Sequence, residues 1–204
     1  VWATSNTRGA IFDAMERREV YATTGPRIRL RFFGGCDFEP ADAKHRDLAL
    51  VGYSRGVPMG ADLHPGKGAP SFLVYALRDP MGANLDRVQI IKGWLDAKGN
   101  PQEKVYDVAW SDERVPGDDG KLSPVGSTVD LGIPGWTNTI GASEPGAVWI
   151  DPDYNPAVKA FYFARVIEIP TPRWTACDRV KFKPELSVDI PLITQERAYS
   201  SPIW

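Results

Sequence analysis

The apolar runs of this chain are short, and most are closed by glycine or proline. Phe72-Leu73-Val74-Tyr75-Ala76-Leu77 stops at Asp79-Pro80, and Phe161-Tyr162-Phe163-Ala164-Arg165-Val166-Ile167 stops at Pro170 and Pro172. Proline has no N–H to give to a sheet ladder, and glycine weakens strand and helix interiors alike. A chain punctuated in this way folds from short strands joined by turns. Its 19 glycines and 18 prolines in 204 residues exceed the usual shares of about 7 and 5 per cent and leave little room for long helices.

The strands read from alternation. From Arg27 to Phe33, Arg27, Arg29 and Arg31 point one way and Ile28, Leu30 and Phe32 the other, which predicts a half-buried strand with a basic outer face. Gly34-Gly35 either ends or bulges it. Further strands are expected at 72–77, 87–95 (Val88, Ile90 and Trp94 on one face), 103–111, 147–150, 160–169 and 198–204, with a short one at Val20-Tyr21-Ala22. Residues 56–68, 112–124 and 125–146 read as loops or irregular chain.

One good helix is predicted over Asn6 to Arg18. Asn6 or Thr7 can cap it, Ala10, Ile11, Ala14 and Met15 form an apolar stripe, and Arg17 and Arg18 complement the helix dipole. Residues 40–55 allow a short helix, and 174–180 one helical turn or two. The expected fold class is mainly β, an antiparallel β-sandwich preceded by one N-terminal helix. Residues 1–25 read as the tail of an upstream α/β domain and 26–204 as the sandwich. The apolar ends, Val1-Trp2 and Pro202-Ile203-Trp204, suit a piece of a longer protein. In that case Val1, Trp2, Ile11 and Met15 are the expected patch through which the piece would self-associate.

Charge and motifs narrow the function classes. With 24 basic and 26 acidic residues the net charge is −2, so no basic excess exists to neutralise phosphates and nucleic acid is not an expected partner. No run approaches the roughly 18 apolar residues of a membrane helix, so no membrane span is expected. Cys36 and Cys177 either form one bridge or stay as thiols. His45 and His64, the two histidines, lack metal-ligand spacing. Asp151-Pro152-Asp153 resembles half a calcium loop but has Pro156 and Tyr162 where the loop needs Gly and Glu. Were a metal held, His45, His64, Asp151 and Asp153 would be its ligands. Gly52-Tyr53-Ser54-Arg55-Gly56 carries the letters of a nucleophile elbow, but the Val57-Pro58 that follows cannot start the required helix. No catalytic centre is therefore expected. The richest polar cluster is Glu168, Arg173 and Trp174, with Asp178 and Arg179 beyond. It reads either as a sugar or anion site, since Trp stacks on rings and Arg forks carboxylates, or as a structural Glu168–Arg173 ion pair.

Three stretches together carry a family resemblance: Ala10-Ile11-Phe12-Asp13-Ala14-Met15 through Val20-Tyr21-Ala22-Thr23-Thr24-Gly25-Pro26-Arg27-Ile28, then Phe161 through Trp174, and finally Ala198-Tyr199-Ser200-Ser201-Pro202-Ile203-Trp204. Lys92-Gly93-Trp94-Leu95-Asp96 and Gly56-Val57-Pro58-Met59-Gly60 also fit. The chain resembles the C-terminal part of the DUF3604 family, itself similar to PHP-type (polymerase and histidinol phosphatase) metallohydrolases. The resemblance implies that the metal ligands lie in an upstream α/β barrel, that a divalent metal belongs there and no cofactor here, and that the parent is periplasmic or exported.

On this reading the chain is a non-catalytic accessory domain whose partner is the upstream domain of the same polypeptide. Thr24 and Arg27, in the joining turn, are expected to approach the upstream site. The alternative is a carbohydrate-binding module using Trp94, Trp136, Trp149 or Trp174. A third reading, an independent hydrolase using His64 or Ser54, lacks a matching acid, base or metal.

Overall fold

A computed structural model describes every residue of the chain except Pro65, Lys67, Asp119 and Leu186. The first two fall in the loop expected at 56–68 and the third in that at 112–124, and for these three positions the expectation lies outside the described residues. The element order is α1 (Arg8–Glu16), β1 (Tyr21–Thr23), β2 (Arg29–Gly35), a 3-10 turn (Pro40–Lys44), α2 (Leu48–Arg55), β3 (Gly56–Pro58), β4 (Ser71–Leu77), β5 (Leu85–Leu95), β6 (Pro101–Trp110), β7 (Gly146–Ile150), β8 (Ala160–Glu168), β9 (Thr171–Pro172), α3 (Trp174–Phe182), β10 (Ile193–Thr194) and β11 (Arg197–Ser200).

Two antiparallel sheets form a sandwich. The larger runs β1-β11-β8-β5-β6 and the smaller β3-β2-β4-β7, with β9 and β10 as a separate two-stranded ribbon. Alternation decides which side chains meet between the sheets. Leu30 and Phe32 of β2 and Phe72, Val74 and Ala76 of β4 face Val88 and Ile90 of β5 and Tyr162, Ala164 and Val166 of β8. Phe32 and Phe72 stack at 5.5 Å. The residues opposite these on the smaller sheet are also covered: Phe33 and Leu73 pack beneath Phe38, just before the 3-10 turn, and Val51 of α2.

Most predicted strands are present within a residue or two, and the exceptions have physical reasons. Gly34-Gly35 neither ends nor bulges β2. Gly34 pairs with Val57 and Phe72, and Gly35 with Gly56 and Ser71. A Cβ on Gly35 would lie 2.9 Å from both the Arg55 carbonyl oxygen and the Phe38 ring, so glycine lets the strand run on under α2. That pairing draws Gly56–Pro58, expected in a loop, into β3. The segment 40–55 resolves into the 3-10 turn and α2, whose cap is Asp47, accepting the Leu50 N–H at 3.0 Å. Thr7 caps α1 by accepting the Ala10 N–H. Ala14 is buried, Ala10 and Ile11 are half-buried, and Met15 and Phe12 face outward. Trp2 turns inward rather than joining an exposed patch: its indole N–H donates to the Leu30 carbonyl at 2.8 Å and Arg31 stacks 3.3 Å above its ring. Cys36 and Cys177 are free thiols.

The sheets are bolted together by charge. Lys92 of β5 meets Asp151, the residue after β7, at 2.6 Å, with both side chains buried. Tyr162 donates to the same carboxylate at 2.7 Å, and Lys92 donates also to the Asp153 carbonyl at 2.8 Å. At the other end of β5, Asp86 is an extra residue in the β5–β8 ladder. Its buried carboxylate holds Arg114 at 2.6 Å and Arg87 at 3.1 Å.

Removing one member of a buried pair leaves an unpaired charge in low dielectric, which costs about 3–5 kcal/mol. Asp151→Ala is expected to lose that much in urea denaturation, while Lys104→Ala, at an exposed pair with Asp153, is expected to lose under about 1 kcal/mol. Equal effects would remove the assigned role.

Candidate functional site

β5 and β8 run side by side in opposite directions, and each end of the pair gathers a group of functional side chains. At the start of β5 is a carboxylate corner. Thr24, just past β1, donates its hydroxyl to the Glu196 carboxylate and accepts the Arg197 N–H at 2.9 Å. The Arg27 N–H donates to Asp79 Oδ2 at 2.7 Å. That bond, with a second from the Met81 N–H, holds the Asp79 carboxyl below its ordinary range. Glu168 ends β8 opposite Leu85 and is only 2% exposed. Its Oε1 is buried and has no hydrogen-bond partner among the described residues. Burial first, then the charges of Glu196 and Asp79, push the carboxyl up to about 8, so Glu168 is neutral at neutral pH. Arg78, whose charge pulls the other way, gives its guanidinium to the Asp79, Pro80 and Gly82 carbonyls instead.

Thr24, Arg27 and Glu168, predicted from separate stretches, therefore meet around Asp79 and Glu196. Neither of those two stood out in the sequence, since each is a single acid in a loop. Arg173 and Trp174 do not join them. No ion pair links Arg173 to Glu168. The β9–β10 ribbon intervenes, the Arg173 N–H donates to the Leu192 carbonyl at 2.8 Å, and Trp174 stands 67% exposed at the start of α3. The structural ion pair allowed by the sequence is thus not formed.

At the opposite end of β5 and β8 lies a cavity of about 900 Å³. The ends of three strands wall it: Gly93–Leu95 of β5, Pro101–Glu103 of β6 and Ala160–Tyr162 of β8. Trp204 closes one side, its ring 5.1 Å from that of Phe161. Within that wall, Tyr162 is held by Asp151. Burial, with that carboxylate next, raises the Tyr162 hydroxyl well above its ordinary value and keeps it a donor. Tyr106 donates in the same way to Asp153 at 2.5 Å, and burial likewise raises its hydroxyl.

Asp151 and Asp153, half of the imagined calcium loop, thus give their carboxylates to Lys92, Lys104, Tyr162 and Tyr106. His45 accepts the Asp47 N–H through Nδ1 at 3.0 Å, at the start of α2. Among the described residues no group of three His, Cys, Asp or Glu is placed to hold a metal ion. Ser54 lies in α2 with β3 after it, the reverse of a nucleophile elbow, and its hydroxyl donates to the Val51 carbonyl. Of the four tryptophans proposed as platforms, only Trp94 lines the cavity. Trp149 packs against Phe72, Tyr106 and Tyr162, and Trp136 stands in the irregular segment before β7.

By fold and site this is an antiparallel β-sandwich protein with a carboxylate corner at one end of its larger sheet and an aromatic cavity at the other. The chain belongs to the family described as Protein of unknown function (DUF3604), which matches residues 1–204. No curated protein and no solved structure matches it.

The raised Glu168 carboxyl makes stability depend on pH. From about 4.3, where an unfolded glutamate titrates, up to about 8, the folded chain holds a proton that the unfolded chain has lost. Stability falls through that window, by at most about 1.4 kcal/mol per pH unit, and levels off above it. Glu168→Gln cannot ionise, so it should gain on the wild type between pH 5 and pH 8 in chemical denaturation. Parallel profiles for the two proteins would refute the assignment.

Proposed function

We propose that this chain is a non-catalytic accessory β-sandwich domain of a PHP-like, metal-dependent hydrolase, and that it buttresses the catalytic barrel, where the divalent metal would be held. The observation that carries this reading is the way residues 1–25 are tied to the sandwich. β1 is a strand of the larger sheet, paired through Tyr21↔Ser200 and Thr23↔Ala198. The turn after it is pinned on both sides, by Glu196 at Thr24 and by Asp79 at Arg27. Meanwhile α1 turns Phe12 (63% exposed) and Met15 away from the sandwich, as suits a helix covered by a neighbouring domain. A segment held this firmly transmits the position of the sandwich to whatever packs on α1, which is what a buttress requires.

The Arg27 side chain is exposed and makes no ion pair among the described residues, so Arg27→Ala leaves the sandwich intact. In the full-length protein it is expected to change kcat/KM several-fold, while the melting temperature of the present chain stays constant. Unchanged kinetics would remove the proposed role of the turn. The uncovered apolar face of α1 is also expected to drive self-association of the isolated chain, centred on Val1, Phe12 and Met15. Sedimentation should show a concentration-dependent mass that Phe12→Glu with Met15→Glu abolishes, and a wild-type monomer at every concentration would rule the patch out.

A further inference from the structure

The geometry points to the aromatic cavity as a binding site for a neutral hexopyranose oligosaccharide, independently of whether the chain serves a barrel. At about 900 Å³ it falls within the roughly 300–1,000 Å³ range of small-molecule sites. Its floor is built for ring stacking. Phe161 lies across Gly93, its cross-strand partner, and a Cβ on Gly93 would come within 2.3 Å of the Phe161 ring. Glycine at this position is what lets the ring lie against the strand. Trp204, 52% exposed, leans over Phe161 at 43°, which leaves part of its surface open to a ligand. Trp94 stands above the buried Lys92 ammonium, 5.6 Å from its ring. Trp94 is packed over the Lys92 ammonium, and Phe161 lies between the Phe163 and Trp204 rings, so little ordering remains to be done on binding.

The rim selects the ligand class. His64, Glu103 and Lys159 line the cavity, are exposed, and their side chains make no hydrogen bond with the described residues. The Gln102 side chain, beside them, makes only a long bond of 3.4 Å to Asp96 among the described residues. Donors and acceptors of both signs are therefore available, with no excess of either charge. An acyl chain would desolvate these groups and leave them unpaired, which is costly. An ionic ligand would meet one charge of its own sign. A neutral sugar satisfies both parts: its C–H face stacks on the rings, and its hydroxyls both donate to and accept from the rim.

The test is titration of the whole chain with malto-, cello-, manno- and chito-oligosaccharides and with decanoate. Tryptophan fluorescence and calorimetry are the readouts. At least one oligosaccharide is expected to bind saturably, at least tenfold more weakly to Trp204→Ala and unchanged to Trp174→Ala, which lies outside the cavity. Because Trp204 also packs on Phe161, the exposed double variant Glu103→Ala with Lys159→Ala gives a second reading and is likewise expected to bind at least tenfold more weakly. No binding by any of the four at millimolar concentration would overturn the inference. So would binding indifferent to both cavity variants, or saturable binding of decanoate in place of the sugars.

Discussion

The contact on which the rest of the architecture leans is the buried pair of Lys92 and Asp151. Lys92 belongs to the larger sheet and Asp151 to the chain leaving the smaller one, so a single charge interaction sets how the sheets sit at that end. Its surroundings show why it is tolerated. Desolvating two charges repays itself only when the remaining hydrogen-bonding capacity is filled. Here Tyr162, the Asp153 carbonyl and the Asp153 N–H, which donates to Asp151 Oδ1, fill it. The aromatic cavity opens beside this node, and Tyr162 belongs to both.

The opposite end of the same strands uses charge differently. Glu168 is buried without a counter-charge, beside two other carboxylates, and gives up its ionisation instead of finding a partner. The same end also carries the satisfied Asp86 cluster with Arg114 and Arg87, so a paired and an unpaired buried acid stand side by side there.

How much of this was legible in the sequence follows from how local each feature is. Alternation at Arg27–Phe33 and closure of the Phe161 run at Pro170 depend on neighbours in the chain, and those strands stand where pattern placed them. β3 was hidden because Gly56-Val57-Pro58 reads as loop until its partner, the Gly34-Gly35 stretch, is known to continue as strand. Trp2 looked like part of an exposed apolar end because nothing nearby in sequence announces the Leu30 carbonyl and Arg31 guanidinium that receive it. Thr24 and Arg27 were singled out as part of the joining turn, and Glu168 for its polar neighbours Arg173 and Trp174. The acids that actually unite them, Asp79 and Glu196, are distant in sequence. The cavity was least legible of all, since it is assembled from three strand ends and from Trp204.

The bulge at the start of β5 has a further bearing on the long irregular stretch between β6 and β7. Asp86 grips one root of that stretch through the Ser111 N–H and Arg114. Two residues earlier, Asn84 grips the other root through the Asn138 and Ile140 carbonyls, while Leu85 pairs with Ala142. The stretch is thus cinched at its neck by three consecutive residues. The entropy of closing a loop grows only slowly with its length. Residues beyond that neck can therefore be added or lost with little penalty to the sheets and with strand register untouched.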